Sequence, residues 1–499
     1  MLPTSITHAT LKSSRSFRTI VLASGQIMTS LGQVLILAIL ARLLSKEEFA
    51  VYVQCLLIAT TMLPILSLGL PSTLYVLFPA HDQHSRNLLI ANQMLLLASG
   101  FLFVVVLGNG GSAFVAEIFN NPQLHTALLW VAPYILFSLP ILSLETVLLV
   151  HHKTMHIALF NTATQCWFLI CTIVPALIWQ QATMTLLGLS LARTTSYVFA
   201  LVLMLRTWAT GDGKPAWQLI QAQMVLGIPL LLATSFGSIQ THLDKWIVSL
   251  LDSPEQFIIF AVGATELPVI RLFTRSIIQV LMADCSRLFQ QNRLQEIARI
   301  LWKATYSNTV FLIPTMIYLL VVADAVIPLV FSEKYMESVA PFMLYLFIIP
   351  VRLVNFSGIH VASGKGYFLT LVTAINLVLK VGLTLAWYPA TGFMGVIYAN
   401  LLVSYLVSWP LQMVILVRVY RLPMGSTLPK ADFVKALLAI GLATMVLMVK
   451  PFMPDHDLLV VIGCGLLYGG ALIVAFVLLR VQVPLIQSLQ VLWKGKYSV

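Results

Sequence analysis

The sequence predicts an all-α, polytopic membrane protein of about fourteen transmembrane helices, arranged as two six-helix lobes related by an internal repeat plus two C-terminal helices. Three observations lead there. Hydrophobic residues fill 59% of the 499 positions and charged residues only 9%, whereas a soluble domain needs about 25% charged residues to cover its surface. Fourteen apolar runs each approach or exceed the ~20 residues that a helix needs to cross the hydrocarbon core. The chain also resembles itself at an offset of about 210 residues.

The runs fall at 18–41, 49–70, 87–107, 124–150, 157–179, 184–205, 222–250, 257–282, 304–330, 338–361, 366–388, 393–417, 433–450 and 458–479, cut where turn residues and charges interrupt them. The first follows Lys12, Arg15 and Arg18, as in a signal sequence. It continues without a small-x-small cleavage site, so it reads as an uncleaved span. Gly211-Asp212-Gly213-Lys214-Pro215 separates spans six and seven. It sets a cytoplasmic linker at 210–221 between an N-lobe (1–209) and a C-lobe (222–420), with 421–499 supplying spans thirteen and fourteen and a tail. Between Arg480 and Lys494 the tail fits either an amphipathic helix on the inner leaflet or a frayed end.

A net charge of +11 with pI near 9.4 would suit a nucleic-acid binder, but the positions of the bases argue otherwise. With the N-terminus inside, alternate loops collect 19 Lys and Arg on the cytoplasmic side and leave only Arg42, Lys46, Lys334 and Lys450 outside. That asymmetry is the positive-inside signature. It predicts both termini in the cytoplasm and no nucleic-acid partner.

The repeat has local landmarks. Leu43-Leu44-Ser45-Lys46-Glu47-Glu48-Phe49 matches Leu250-Leu251-Asp252-Ser253-Pro254-Glu255-Gln256-Phe257, and Lys153 meets Lys365 in corresponding turns. Phe119, Pro133 and Pro140 are echoed by Phe331, Pro341 and Pro350. Polar stripes repeat as well. Gln26, Ser30 and Gln33 in span one share the spacing of Thr234, Ser238 and Thr241 in span seven, which Lys245 continues. Asn161, Thr164 and Thr172 in span five correspond to Thr373, Asn376 and Thr384 in span eleven, with Lys380 where Phe168 stands in span five. Such stripes serve a shared polar surface, or they simply join helices by hydrogen bonds.

Connecting segments are too short to hold an extramembrane domain, so function is expected within the helices. A charge at the bilayer centre costs about 2.5–3.5 kcal/mol on insertion scales and is expected to face a cavity or a partner. Span eight is densest, with Glu266, Pro268, Arg271, Arg275 and, near its end, Asp284. Arg271 and Arg275 share a helix face, and Glu266 would join them only through a distortion at Pro268. Paired guanidinium forks suit a phosphate or carboxylate. An internal ion pair or snorkelling to the interface is the structural alternative. Arg193 in span six and Arg352 in span ten, one turn before Asn355, extend the cationic set. Glu145, Asp244 and Asp324 are the remaining acids within spans, and each is a candidate for a coupling proton or for a structural hydrogen bond.

Other chemistries lack their motifs. The five cysteines lie in or at the edges of apolar runs without C-x-x-C spacing, so they read as buried hydrophobes and not as a zinc site or disulfide framework. There is no G-x-x-x-x-G-K-[ST] phosphate loop. His81, His84, His151, His152 and His156 gather in turns without metal-ligand spacing on one buried face. No cofactor and no metal are expected.

The pattern Ser30-Leu31-Gly32 through Leu40-Ala41-Arg42-Leu43-Leu44-Ser45-Lys46-Glu47-Glu48-Phe49-Ala50-Val51-Tyr52 resembles the first two helices of bacterial polysaccharide and lipid-linked oligosaccharide (O-antigen) flippases, within the multidrug/oligosaccharidyl-lipid/polysaccharide exporter superfamily. Asp244-Lys245-Trp246-Ile247-Val248, with Phe260-Ala261-Val262-Gly263, resembles the entry to that family's second lobe. Asp284-Cys285-Ser286-Arg287-Leu288 resembles the end of its eighth helix, although Met282-Ala283 stands where the family usually has a proline. The resemblance implies a transporter of the bacterial inner membrane and not an enzyme. By alternating access it would pass an undecaprenyl-pyrophosphate-linked glycan head group through a polar cavity while the lipid tail stays in the bilayer. Membrane lipids, a polysaccharide polymerase and a chain-length regulator are the implied partners.

Lys245, Arg271, Arg275, Arg352, Lys380, Arg193, Gln33 and Asn376 are the candidate head-group contacts, and Glu266, Asp244 and Glu145 the candidate coupling acids. Coupling to H⁺, to Na⁺ or to neither is left open. A multidrug or metabolite antiporter on the same scaffold would need an acid-dominated cavity, whereas the buried set leans basic. A polymerase or ligase would carry a long outer loop with Arg or His. A scaffold without transport would need no repeated stripes.

Overall fold

The computed structural model describes residues 25–80, 84–151, 153–207, 214, 217–265, 268–454 and 456–481, and among them every regular element is a helix. Packing divides the chain into two compact units, with the boundary between Ile258 and Ile259.

The first unit starts with α1 (Gly25–Leu43). There follow α2 (Lys46–Leu66), α3 (Leu70–Ala80), α4 (Ser85–Val106), the short α5 (Ser112–Ile118), α6 (Gln123–Val150), α7 (Thr154–Trp179), α8 (Ala182–Thr207) and the 35-residue α9 (Trp217–Leu251). Ser45 sets the start of α2, its hydroxyl accepting the Glu48 amide at 3.2 Å. The Glu48 carboxylate reaches instead to the amide of Ala182, 2.5 Å away at the start of α8, where the helix dipole favours an anion. Between α2 and α3 the chain turns through Leu68 and Gly69, both left-handed (φ 52° and 66°). A Cβ on Gly69 would lie 2.5 Å from the Gly227 carbonyl, so only glycine lets α9 pass this closely.

Apolar packing alone does not hold helices together in lipid, because lipid tails are as apolar as leucine. The first unit adds two buried amide clusters. Asn92 on α4 donates to the Leu70 carbonyl (3.1 Å) and to Gln223 Oε1 on α9 (2.6 Å), and accepts from Ser143 on α6 (2.6 Å). Gln223 donates onward to the Leu88 carbonyl at 3.2 Å. At the other end of α9, Gln54 on α2 donates to Ser249 (2.8 Å) and accepts from Asn121 (2.7 Å). Asn92, Gln223, Gln54 and Ser249 are all fully buried. Midway, Trp246 Nε1 donates to Thr61 Oγ1 at 2.9 Å, and Ser238 donates to the Thr61 carbonyl at 3.2 Å. By these bonds α9, the expected first span of the second lobe, is tied to α2 and α4.

Three predicted spans differ in form from the expected runs. The eighth, expected as one run over 257–282, is two helices, α10 (Pro254–Gly263) and α11 (Pro268–Gln290). The expected single run is interrupted: α10 ends at Gly263, and Thr265 lies in no helix. The ninth span starts ten residues early, as α12 (Leu294–Val321) followed by α13 (Ala323–Phe331); charged residues ended the apolar run but not the helix. The tenth is a pair, Glu333–Leu346 and Pro350–Ala362, bent by 43°, which contains α14 (Val339–Leu346) and α15 (Phe356–Ala362). Again a proline starts the second half. The unit closes with α16 (Tyr367–Thr391), α17 (Met394–Val419, carrying two π-helical turns), α18 (Lys430–Phe452) and α19 (Asp457–Leu478).

Twelve helices among the described residues are long and apolar enough to cross a membrane, or up to thirteen if the bent pair counts as one span. The predicted eighth span is not among them. The repeat is visible in the caps. Ser253 accepts the Gln256 amide at 3.3 Å as Ser45 accepts that of Glu48, and the phenylalanine that follows, Phe257 or Phe49, is buried in both. Gln180 ends α7 and Gly392 ends α16, each with positive φ (53° and 57°) and 212 residues apart.

Replacing Asn92 by leucine strands the buried Gln223 carboxamide and the Ser143 hydroxyl, and should cost about 1–3 kcal/mol; thermal unfolding in detergent should show the lower midpoint, while Gln33→Leu, on the exposed face of α1, should leave it unchanged. Gly188→Leu should prevent α7 from packing on α8, because even a Cβ at this position would overlap the Cys171 carbonyl oxygen; fluorescence-detected size exclusion would show loss of the folded peak.

Candidate functional site

Arg193 is the best-defined candidate. It stands on α8 five residues after Gly188, where a Cβ would overlap the Cys171 carbonyl oxygen of α7. Its guanidinium carbon lies 4.6 Å from the ring centre of Phe168 on α7 and 5.1 Å from that of Tyr134 on α6. The two rings meet edge to face at 6.4 Å. Such a clamp contributes about 0.5–2 kcal/mol, more as it is desolvated. Among the described residues no carboxylate pairs with Arg193, and its buried Nε has no hydrogen-bond partner. The three helices thus hold a positive planar group without neutralising it.

Polar residues extend this surface along α7. Gln165 lies over Gly32 of α1, where a Cβ would approach it to 2.5 Å, and its buried Nε2 is unpaired. Thr172 is fully buried, and Thr164 spends its hydroxyl on the carbonyls of Phe160 and Asn161. Gln33 is exposed on α1. On α9, Asp244 and Lys245 are half-buried. The stripe preceding them divides: Thr234 and Thr241 bond to their own helix, and only Ser238 bonds to another.

In the second unit, Asn376 on α16 and Gln412 on α17 both donate to the Ser408 hydroxyl, at 3.0 and 3.1 Å. Lys380 is half-buried one turn beyond Asn376. Arg352 is exposed in the 3₁₀ turn between α14 and α15, and Asn355, buried, starts α15. Arg271 and Arg275 stand one turn apart on α11; their side chains, and all of Glu266, lie outside the described residues. Glu145 is exposed on α6 and Asp284 on α11. Asp324 is engaged: Lys450 reaches both its oxygens at 2.6 and 2.7 Å, and the Val321 carbonyl at 2.6 Å. Lys450, expected in an outer loop, thereby ties α18 to the end of α12.

Sequence reasoning missed the aromatic half of the Arg193 clamp, although a signal existed. At the 212-residue offset that takes Phe168 to Lys380, Arg193 goes to Tyr405. Cation and aromatic exchange helices between the repeats. Tyr405 donates instead to the Phe347 carbonyl at 2.7 Å.

These features describe a multi-pass helical membrane protein with an unneutralised cation in its first unit. Comparison with solved structures shows the same fold in transporters. An inward-facing multidrug resistance MATE family transporter of the MOP superfamily aligns with a TM-score of 0.59 at 12% identity, over 81% of this chain and 96% of that one. A MOP superfamily transporter from Pyrococcus furiosus gives 0.56 at 12%, over 81% and 96%. The Vibrio cholerae MATE transporter VcmN, in its bent form, gives 0.53 at 12%, over 82% and 98%. A search of curated proteins found no match. The family model for polysaccharide biosynthesis proteins matches residues 18–283, more than half of the chain, and the protein belongs to that family.

Arg193→Lys keeps the charge but loses the planar stack on Phe168 and Tyr134, so thermal unfolding in detergent should show a loss of about 0.5–2 kcal/mol. Because the Lys450–Asp324 pair is partly exposed, a double-mutant cycle with Lys450→Met and Asp324→Asn should give a coupling of no more than about 1 kcal/mol.

Proposed function

We propose that the protein is a flippase that carries a lipid-linked oligosaccharide, the undecaprenyl-pyrophosphate-bound repeat unit of an O-antigen or other surface polysaccharide, across the bacterial inner membrane by alternating access. The observation that carries this reading is Arg193, a cation set among transmembrane helices and clamped by two rings without a carboxylate. An uncompensated guanidinium at such depth is expensive unless an anion visits it, and its fork suits the oxygens of a pyrophosphate or an acidic sugar. An arginine and an anionic oxygen 4 Å apart attract by about 4 kcal/mol at an effective dielectric of 20, which exceeds the insertion cost of one such residue.

Membership of the polysaccharide biosynthesis family supports the glycan, and the MOP fold supports transport. Of the candidate acids, Asp324 is engaged by Lys450, Glu145 is exposed, and the half-buried Asp244 is followed directly by Lys245. In this reading Arg193 and Lys245 of the first unit, with Arg271, Arg275, Arg352 and Lys380 of the second, contact the head group. Gln33 and Asn376 add neutral hydrogen bonds. Asp244, Glu266 and Glu145 are the groups through which H⁺ or Na⁺ coupling would act.

The test is complementation of a strain lacking its surface-glycan flippase, scored by surface polysaccharide and by protein level in the membrane. Arg193→Ala and Arg271→Ala should each abolish the glycan at wild-type membrane abundance. Normal glycan from both variants would remove the cationic set from the mechanism. Restoration of drug resistance in place of glycan would replace the substrate class.

A further inference from the structure

Together α7 and α8 carry a groove of about 440 Å³, lined by none of the proposed head-group contacts. It runs from His156, at the start of α7, past Phe160 and Ala163 to Trp167, with Phe199 and Leu203 of α8 on the other wall. Phe160 and Phe199 stack almost parallel across it, 6.4 Å between centres and 6° between planes. Three hydroxyls line it, and all are spent. Thr164 donates to the carbonyls of Phe160 and Asn161, Ser196 to that of Ala192, and Thr195 to those of Leu191 and Ala192 while accepting Trp167 Nε1 at 2.8 Å. The groove therefore offers almost only carbon to an occupant, which excludes a sugar and suits a hydrocarbon chain.

Its length and its charge select the chain. From His156 to Trp167 is eleven residues, about 16 Å at the helical rise, or half of the ~30 Å hydrocarbon thickness. That is the depth of one leaflet, and the Trp167–Thr195 hydrogen bond closes the groove at mid-membrane. The open end lies on the side that the Lys and Arg distribution assigns to the cytoplasm. There His156 and Lys153 are exposed at the mouth, and a lysine at the surface attracts an anionic lipid head group. A polyisoprenyl tail long enough to span both leaflets would overrun the site.

We infer that this groove is a binding site for one acyl chain of an anionic phospholipid of the inner leaflet, with the phosphate at Lys153 and His156. The site is independent of what the protein transports.

Native mass spectrometry of the detergent-purified protein supplied with phosphatidylglycerol tests this. Wild type should retain one phosphatidylglycerol more than Ala163→Trp, which fills the groove. Lys153→Glu should abolish the preference for phosphatidylglycerol over phosphatidylcholine. Trp167→Phe leaves the groove open and gives a second reading: phosphatidylglycerol brominated towards its chain ends should quench wild-type fluorescence measurably more than that of this variant. Equal lipid retention by wild type and a folded Ala163→Trp protein, equal quenching with and without Trp167, or displacement of the bound phosphatidylglycerol by a polyisoprenyl phosphate would each overturn the inference.

Discussion

A polar group within a bilayer has no water to bond to, so each one must find its partner inside the protein. The first unit is arranged around that constraint. Its long final helix, α9, is seamed to the rest of the unit by carboxamides, Gln223 to Asn92 at one end and Ser249 to Gln54 at the other. Between them, Trp246 and Ser238 both bond to Thr61. Leucine side chains fill the spaces around these contacts without selecting partners, since lipid would serve them as well. The amides select, because a slip of one residue along α9 would strand several of them at once.

The same constraint separates structural charges from functional ones. Glu48 is spent on the amide at the head of α8, and Asp324 on Lys450. Arg193 stands apart from these. Its rings supply attraction and a fixed plane but no opposite charge, so the group stays available to an anion and is already oriented for it. A flexible lysine in the same place would lack that fixed plane. The clamp thus holds the guanidinium in one orientation against α6 and α7.

Much of this organisation is legible in the sequence, for identifiable reasons. The count and order of spans follow from length and hydropathy, because the bilayer thickness imposes a minimum on both. The repeat follows from Ser45 and Ser253, capping residues whose chemistry is local. Pro268 and Pro350 are legible as irregularities, but whether a proline kinks a helix or ends it depends on what the neighbours supply to the freed carbonyls. Pro140 lies within the unbroken α6, whereas the helices on either side of the Pro350 turn are bent by 43°. The threonine stripe of α9 reads as functional, yet two of its three hydroxyls turn back on their own helix.

By itself, the sequence determined that this is an all-helical membrane protein built on a repeat, because those properties depend on composition, periodicity and local caps. Only the tertiary structure decided that α9 belongs with the first unit, that Lys450 neutralises Asp324, that Arg193 rests between Tyr134 and Phe168, and that α7 and α8 leave a carbon-lined groove between them. Each of these turns on which faces of distant helices meet, and a polar residue in an apolar run gives no sign of whether its partner is another side chain, its own backbone or a ligand.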